Sequence, residues 1–124
     1  MTARFVDVAA LQAFLREFTA ARGWDRFHSP KNLAMALTGE VGELVEIFQW
    51  LRPEQAADIA ADAARQQHVG EEIADVLVYL LQIADRCGID VEAAVERKIG
   101  LNALKYPVPS SPQPAPTDSG VADD

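Results

Sequence analysis

Hydrophobic positions recur every three or four residues along most of the chain, which is the period of an amphipathic α-helix. In the first such stretch, the large apolar residues are Leu11, Phe14, Leu15 and Phe18. Asp7 stands before this stretch as a suitable N-cap, and Gly23 stands after it as a suitable terminator. The pattern therefore predicts a first helix between these two residues.

A second helix follows a short loop, residues 24–28. Ser29 is a typical N-cap and Pro30 is favourable at the first helical position. Apolar residues then recur at helical spacing until Pro53, which cannot continue a helix. We expect the second helix to run from Pro30 to about Arg52.

The remaining hydrophobic segments also predict helices. Residues 54–67 are rich in alanine and polar side chains without a clear apolar face, so they indicate a short helix or a mobile connector. A third helix should span about His68 to Cys87 and end at Gly88. Its centre, residues 76–81, is apolar all round, which predicts burial on both sides and contact with another subunit. Asp90 should cap a fourth helix that ends near residue 104.

Four helices with short connections favour an all-α fold with an antiparallel four-helix bundle as its core. Residues 1–106 then form one domain. From Pro107 to Asp124 the chain consists mainly of proline, serine, alanine and acidic residues, so residues 107–124 are predicted to be a disordered acidic tail.

Two pairs of acidic residues interrupt the apolar helices. Glu40 and Glu43 lie one turn apart within the buried stripe of the second helix, and Glu72 and Asp75 border the stripe of the third. The residues four positions after these acids are Leu44, Ile47, Val76 and Tyr79. None of them is a cation, although such pairs on helix surfaces usually have basic partners. Carboxylates in a poorly solvated cleft need a positive charge, so the four acids are predicted to bind a divalent cation.

The nature of the ligands indicates which ion. Carboxylate oxygens suit Mg²⁺, Mn²⁺ or Ca²⁺ better than zinc. Cys87, His28 and His68 are too few and too scattered for a zinc cluster, and neither histidine has the Glu-x-x-His spacing of a helical di-iron site. Cys87 itself is expected to be a small core residue. Since Mg²⁺ commonly retains room for substrate phosphates, nucleotide phosphate chemistry is the leading hypothesis.

Composition and charge limit the alternatives. A chain of 124 residues with 49% hydrophobic residues is expected to form one domain. The formal net charge of −8 argues against a general nucleic-acid-binding protein and against attachment to anionic membranes. The N-terminal residues predict neither a secretion signal nor a membrane span, and a cytoplasmic location is the expectation.

The ordered set of motifs resembles the MazG-like all-α nucleoside triphosphate pyrophosphatases, and within them the dCTP pyrophosphatase branch. The similar segments are Glu40-Val-Gly-Glu43, Glu72-Ile-Ala-Asp75, Trp24-Asp25-Arg26-Phe27-His28, Phe48-Gln49-Trp50, Lys98, Asn102, Lys105 and Tyr106-Pro107. The similarity covers about residues 8 to 107. It implies Mg²⁺-dependent hydrolysis between the α and β phosphates, which yields a nucleoside monophosphate and pyrophosphate. It also implies a homo-oligomer, and we expect a homotetramer rather than a dimer.

The resemblance also implies roles for individual residues. The metal ligands would be Glu40, Glu43, Glu72 and Asp75, with Mg²⁺ as the cofactor and Mn²⁺ as a substitute. The residue that accepts the proton is left open among Glu43, Glu46 and Glu71, of which the last two are equally well explained as solvated surface acids. Expected substrate contacts are Trp24, Phe27, His28, Asn32, Trp50, Tyr79, Lys98, Asn102, Lys105 and Tyr106. Both tryptophans have an alternative role in the core or in a subunit contact, and Tyr106 has one in packing.

The sequence leaves the substrate open. Leu15 occupies a position where animal relatives carry a histidine, so contacts from the first helix to the base can differ. The substrate could be dCTP, a modified dCTP, dUTP or another nucleoside triphosphate. A different class of function is also open, namely a non-catalytic helical oligomerisation module in which the acids bind a structural ion.

Overall fold

The computed structural model describes residues 6–110, and every regular element among them is helical. The helices are α1 (Val8–Ala21), α2 (Pro30–Gln49), α3 (Pro53–Ala57), α4 (Ala63–Arg86) and α5 (Val91–Lys105), with 3₁₀ turns at Asp25–Phe27 and Ile59–Ala61. No strand occurs in this part of the chain, which confirms the all-α prediction. Most of the predicted tail, residues 111–124, lies outside the described residues.

The beginning of α1 and of α2 follows the capping signals. The Ala10 backbone N–H donates to Asp7 Oδ1 at 3.0 Å, and the Asn32 backbone N–H donates to Ser29 Oγ at 3.1 Å. At the other end of α1, Gly23 has a φ of 66°, a conformation that glycine adopts without strain. The N-terminal boundaries of both helices are therefore set locally by their sequences.

Helix α2 ends at Gln49, three residues before the predicted boundary at Arg52. The residue before a proline is restricted to extended backbone, and Arg52 has φ −70° and ψ 155°. Because Arg52 precedes Pro53, the helix has to end earlier. The chain turns through Trp50 and Leu51 before Pro53 begins α3.

Helix α4 begins at Ala63, five residues before the predicted start at His68. Asp62 caps it, since its Oδ1 accepts from the Arg65 backbone N–H at 3.2 Å. The polar first turns of α4 carry no apolar stripe, so hydrophobic periodicity alone did not reveal them. The predicted connector thus contains α3, a 3₁₀ turn and the start of α4.

Helices α2 and α4 pack against each other in antiparallel orientation. Glu40, near the middle of α2, interacts electrostatically with Asp75 and Tyr79. Leu51, just after α2, shares a cavity with Arg65 in the first turn of α4. Rising residue numbers in one helix therefore correspond to falling numbers in the other, and this arrangement brings the two acidic motifs together.

Helix α1 packs against the C-terminal half of α4. Gln12 Nε2 donates to the Leu81 carbonyl at 3.0 Å, and Arg16 Nη1 lies 2.6 Å from Asp85 Oδ1. Both pairs are 69 residues apart in sequence, so α1 and α4 run in the same direction. The buried apolar side chains among the described residues are Leu15, Leu33, Leu81 and Ala84.

The chain divides into two compact units after Glu92. The first contains α1, α2, α3 and α4, and the second begins at Ala93 and contains most of α5. Within α5, Lys98, Asn102 and Lys105 have spacings of four and three residues, which place them on one face of the helix. The four-helix bundle stays a prediction, as does the oligomeric state.

The expectation for Cys87 is wrong, and the expected burial of the centre of α4 holds for only one side of the helix within a single chain. Cys87, which was expected in the core, is exposed because it lies just beyond the last turn of the helix. In the apolar centre, Leu81 is buried but Leu77 and Leu80 are exposed, so a single chain covers only one side.

None of the described helices is both long and apolar enough to span a membrane.

Candidate metal centre

Three carboxylates converge where α2 crosses α4. Glu40 and Glu43 come from successive turns of α2, and Glu72 comes from α4. One oxygen from each side chain lies within 4.8 Å of the other two. Glu72 is 8% exposed, whereas Glu40 is half-buried and Glu43 is exposed. The arrangement is an acidic cluster that is open to solvent on the Glu43 side.

Two oxygens of this cluster are buried without any hydrogen-bond partner. They are Glu40 Oε2 and Glu72 Oε2. A buried carboxylate oxygen without a donor is energetically costly, and the cost increases when the group is charged. A bound cation would satisfy both atoms, so the donor set fits a hard divalent ion such as Mg²⁺ or Mn²⁺.

The electrostatics of the cluster agree with this chemistry. Burial raises the pKa of Glu40, and the neighbouring carboxylates Glu43, Asp75 and Glu72 raise it further. The pKa of Glu72 is also raised, first by burial and then by Glu43 and Asp75, while His68 acts in the opposite direction. The neighbouring carboxylates thus destabilise the charged forms of Glu40 and Glu72. A divalent cation removes this repulsion.

Asp75 and Tyr79 continue the site along α4. Asp75 is exposed and raises the pKa of both Glu40 and Glu72, but it does not belong to the group of three carboxylates that lie within 4.8 Å. Its role as a fourth ligand stays a prediction. Tyr79, one turn further, is half-buried, and burial together with Glu40 and Asp75 raises its pKa.

Two basic side chains, Arg65 and His68, lie on the N-terminal side of Glu72 in α4. The sequence pattern did not indicate them. His68 Nε2 lies 3.5 Å from Glu72 Oε1, and Arg65 lies one turn before His68. No cation stands four positions after any of the four acids, whereas His68 stands four positions before Glu72. Residues at i−4 and i−7 share a helix face with residue i, so this spacing was the available signal.

These basic residues line a cavity of about 500 Å³ next to the carboxylates. Its wall consists of the acids Glu43, Glu46 and Glu72, the apolar residues Ile47 and Leu51, and the basic residues Arg65 and His68. The cavity is large enough to admit a polar ligand to the acidic cluster.

The structure separates the candidate proton acceptors. Glu46 lines the cavity together with Glu43. Glu71 is exposed, is absent from the cavity wall, and accepts a hydrogen bond from Gln67 Nε2 at 3.2 Å. Glu43 and Glu46 are thus the candidates that border the cavity and Glu71 lies outside its wall; the choice of the proton acceptor among the three stays a prediction.

The aromatic candidates of the loop before α2 form a cluster of their own. The Trp24 ring lies edge-on to Phe18 at 5.9 Å and 6.4 Å from the His28 ring. Asn32 Nδ2 donates to the Phe27 carbonyl at 2.9 Å and so fastens this turn to α2. His28 also shares a small cavity with Leu81, in the C-terminal half of α4. This aromatic cluster lies at the start of α2.

Trp50 lies at the opposite end of α2 and is 83% exposed. The 20 residues of α2 correspond to a length of roughly 30 Å. One nucleobase cannot contact both Trp24 and Trp50 of the same chain. The structure thus does not bring all predicted base contacts together. The candidates Lys98, Asn102, Lys105 and Tyr106 belong to the second unit, where Lys105 Nζ lies 5.3 Å from the centre of the Tyr106 ring.

Residues 36–113 match the model of the MazG-like family, and this match includes both acidic motifs. The chain belongs to the MazG-like family. The resemblance deduced from the motifs is thereby confirmed.

Individual relatives agree with the family assignment. The chain is 43% identical over 102 residues to dCTP pyrophosphatase 1 of Bos taurus, covering 82% of this chain and 59% of that protein. It is 42% identical over 101 residues to dCTP pyrophosphatase 1 of Homo sapiens, covering 82% and 58%. The chain therefore spans less than two thirds of the length of these relatives. It is also similar to a pyrophosphatase from Archaeoglobus fulgidus of known crystal structure, with 42% identity, coverage of 87% of this chain and 99% of that chain, and a TM-score of 0.74.

Proposed function

We propose that this protein is a divalent-metal-dependent nucleoside triphosphate pyrophosphohydrolase. Its substrate would be a deoxypyrimidine triphosphate, with dCTP or a modified dCTP first, and its products a monophosphate and pyrophosphate. The observation that carries the proposal is the cluster of Glu40, Glu43 and Glu72, with two orphaned buried oxygens, in a MazG-like chain similar to dCTP pyrophosphatases. The enzyme would act on nucleotide pools in the cytoplasm.

The carboxylates of Glu40, Glu43 and Glu72, together with Asp75, would hold Mg²⁺ or Mn²⁺. Bound Mg²⁺ neutralises triphosphate charge and lowers the pKa of water. The buried Glu72 fixes one side of the centre in α4, while Glu40 and Glu43 fix the other in α2. Because both elements are regular helices, the ligands are positioned before substrate binds.

The reaction consumes one water molecule. A bond forms between the water oxygen and the α phosphorus, and the bond from the α phosphorus to the bridging oxygen breaks. The bridging oxygen leaves with pyrophosphate and keeps the bonding electron pair. The proton from water passes to a carboxylate, for which the candidates are Glu43 and Glu46, two of the three acids that line the cavity.

The proposed substrate contacts fall into three groups of residues. Lys98, Asn102 and Lys105 on one face of α5 would bind phosphate oxygens, with Tyr106 beside them. Trp24, Phe27, His28, Asn32 and Tyr79 would surround the base and sugar. Trp50 would serve the pocket of a second chain, because it lies at the other end of α2. This division of contacts supports a homo-oligomer, for which we propose a tetramer.

The experiment that tests this function measures the products from a panel of triphosphates. Purified protein with Mg²⁺ is incubated with dCTP, 5-methyl-dCTP, dUTP and the purine triphosphates. We expect dCMP and pyrophosphate in equal amounts from dCTP. Glu72→Gln should stay folded and lose at least about a hundredfold in rate, because the buried ligand is gone.

The control is Glu54→Gln, which removes an acid from an exposed pair with Arg52 and should keep full activity. Release of single phosphates would refute cleavage between the α and β phosphates. Thermal stabilisation by Mg²⁺ without any product would instead favour the non-catalytic metal-binding module.

A further inference from the structure

The two ends of the acidic cluster differ in charge along α4. Toward the N-terminal end of the helix lie His68 and Arg65, which border the cavity. Toward the C-terminal end lie Asp75 and Tyr79, which interact with the acids. A polyphosphate that approaches the cluster therefore meets the basic side chains Arg65 and His68 beside Glu43 and Glu46 on one side, and Asp75 with the Tyr79 hydroxyl on the other.

Arg65, His68 and Glu72 form one line on the helix, since spacings of three and four residues keep them on the same face. Arg65 Nη1 lies 3.5 Å from Asp62 Oδ2, and both side chains are nearly half exposed. Such an exposed pair contributes little to stability. The guanidinium is therefore available to exchange this contact for a phosphate ligand.

His68 is held closer to the centre. Its Nε2 lies 3.5 Å from Glu72 Oε1, and its side chain is more than half exposed toward the cavity side. A ring nitrogen at this position can donate to a phosphate oxygen next to the acidic cluster. Arg65, about one turn earlier in α4, adds further hydrogen-bond donors.

We propose that Arg65 and His68 form the subsite for the departing pyrophosphate. This inference rests on the proposed function and adds to it the orientation of the bound triphosphate. The β and γ phosphates lie toward the first turn of α4, and the sugar and base lie toward Asp75 and Tyr79. Negative charge accumulates on pyrophosphate as the bond breaks, and the planar guanidinium suits phosphate oxygens in bidentate geometry.

The opposite direction is disfavoured by the charges. It would place the β and γ phosphates next to Asp75 and away from Arg65, the cation that borders the cavity. It would also leave Arg65 beside a neutral base. The aromatic loop, with Trp24 and His28, lies at the start of α2, which corresponds to the Asp75 side of the antiparallel pair. The base would thus point toward the aromatic cluster.

The test compares inhibition by the two products. Steady-state hydrolysis of dCTP with Mg²⁺ is measured for wild type, Arg65→Gln, Arg65→Lys and His68→Gln, with added inorganic pyrophosphate or added dCMP. In Arg65→Gln we expect the inhibition constant of pyrophosphate to rise about tenfold, as for the loss of one charge-assisted contact. The inhibition constant of dCMP should not change, and Arg65→Lys should restore part of the pyrophosphate affinity.

Arg52→Gln is the matched control, because Arg52 is exposed, pairs with Glu54 and does not line the cavity. Both products should inhibit this variant as strongly as they inhibit wild type. The inference is overturned if both Arg65→Gln and His68→Gln respond to pyrophosphate like wild type, or if they lose affinity for dCMP instead. If Arg65→Gln does not fold, His68→Gln decides the same question.

Failure of the proposed function would look different. In that case wild type releases no pyrophosphate from any triphosphate, and the inference falls together with the function. If wild type is active and the Arg65 and His68 variants match it, only the pyrophosphate subsite is wrong.

Discussion

Glu72 is the residue on which the metal centre depends most. It is 8% exposed, its Oε2 has no hydrogen-bond partner, and burial raises its pKa. His68, at 3.5 Å, is the basic side chain that opposes this shift. Without a metal, the ionised form of Glu72 therefore destabilises the fold.

This predicts an unusual pH dependence of stability. The pKa values of Glu40 and Glu72 are raised above 4.5 in the folded protein, so the folded state binds more protons than the unfolded state above this pH. The free energy of unfolding then falls as pH rises through the raised values. In chelator, the melting temperature should be higher in mildly acidic solution than at neutral pH.

Glu72→Gln should weaken this dependence and melt higher than wild type at neutral pH in chelator, because a buried charge is gone. Added Mg²⁺ should raise the melting temperature of wild type but hardly that of the variant. Glu54→Gln has the same charge change at the surface and should melt like wild type. A metal-free wild type that is most stable at neutral pH, with a less stable Glu72→Gln, would contradict the proposed electrostatics.

At the residue scale, the sequence predicted the acids better than their surroundings. Glu40, Glu43 and Glu72 stood out because carboxylates interrupted or bordered apolar stripes without a cation in the next turn. Whether a carboxylate comes within ligand distance depends on the packing of two helices, which is why Asp75 was not separated from Glu72. The cavity beside Arg65 likewise depends on packing, because Ile47 of α2 and Leu51 just after α2 form part of its wall.

At the scale of elements, local signals predicted most helix ends. Asp7, Ser29 and Pro30 act on their own turns, so their effects are visible in sequence. The start of α4 was missed because Asp62 caps a turn without apolar periodicity. A helix can begin at a capping residue without an apolar stripe, so the capping preference of Asp62 was the signal available in the sequence.

Helices α2 and α4 also share a flank of exposed apolar residues. Val45 and Phe48 line a groove together with Val69 and Ile73, and the flank continues along both helices. Its exposed members are Val41, Val45, Phe48, Ile73, Leu77 and Leu80. Exposed apolar surface of this kind is typical of interaction sites, and the sequence already predicted a subunit contact at the centre of α4.

We therefore expect Ile73→Glu to disrupt the proposed homotetramer. Light scattering after size-exclusion chromatography should give four times the 13.5 kDa of one chain for wild type and a smaller mass for the variant, because a charge in an apolar interface is not solvated. Met35→Glu, at an exposed position on α2 away from this flank, should keep the wild-type mass. A wild type that elutes as a monomer would show the prediction to be wrong.

At the scale of the whole molecule, fold class was predictable from the sequence, whereas the homotetramer stays a prediction. Helical periodicity established the all-α class, and the antiparallel pairing of α2 and α4 explains why two motifs about 30 residues apart meet. Trp24 and Trp50 are both near α2 in sequence, yet a helix of 20 residues separates them. Proximity along the chain therefore does not establish a shared pocket.

The central claim is that carboxylates from α2 and α4 direct water to the α phosphorus of a nucleoside triphosphate. Its most direct test is hydrolysis of dCTP with Mg²⁺ in water enriched in oxygen-18, followed by mass spectrometry of both products. The account predicts one labelled oxygen in dCMP and none in pyrophosphate. Label in pyrophosphate, or label in released inorganic phosphate, would contradict it.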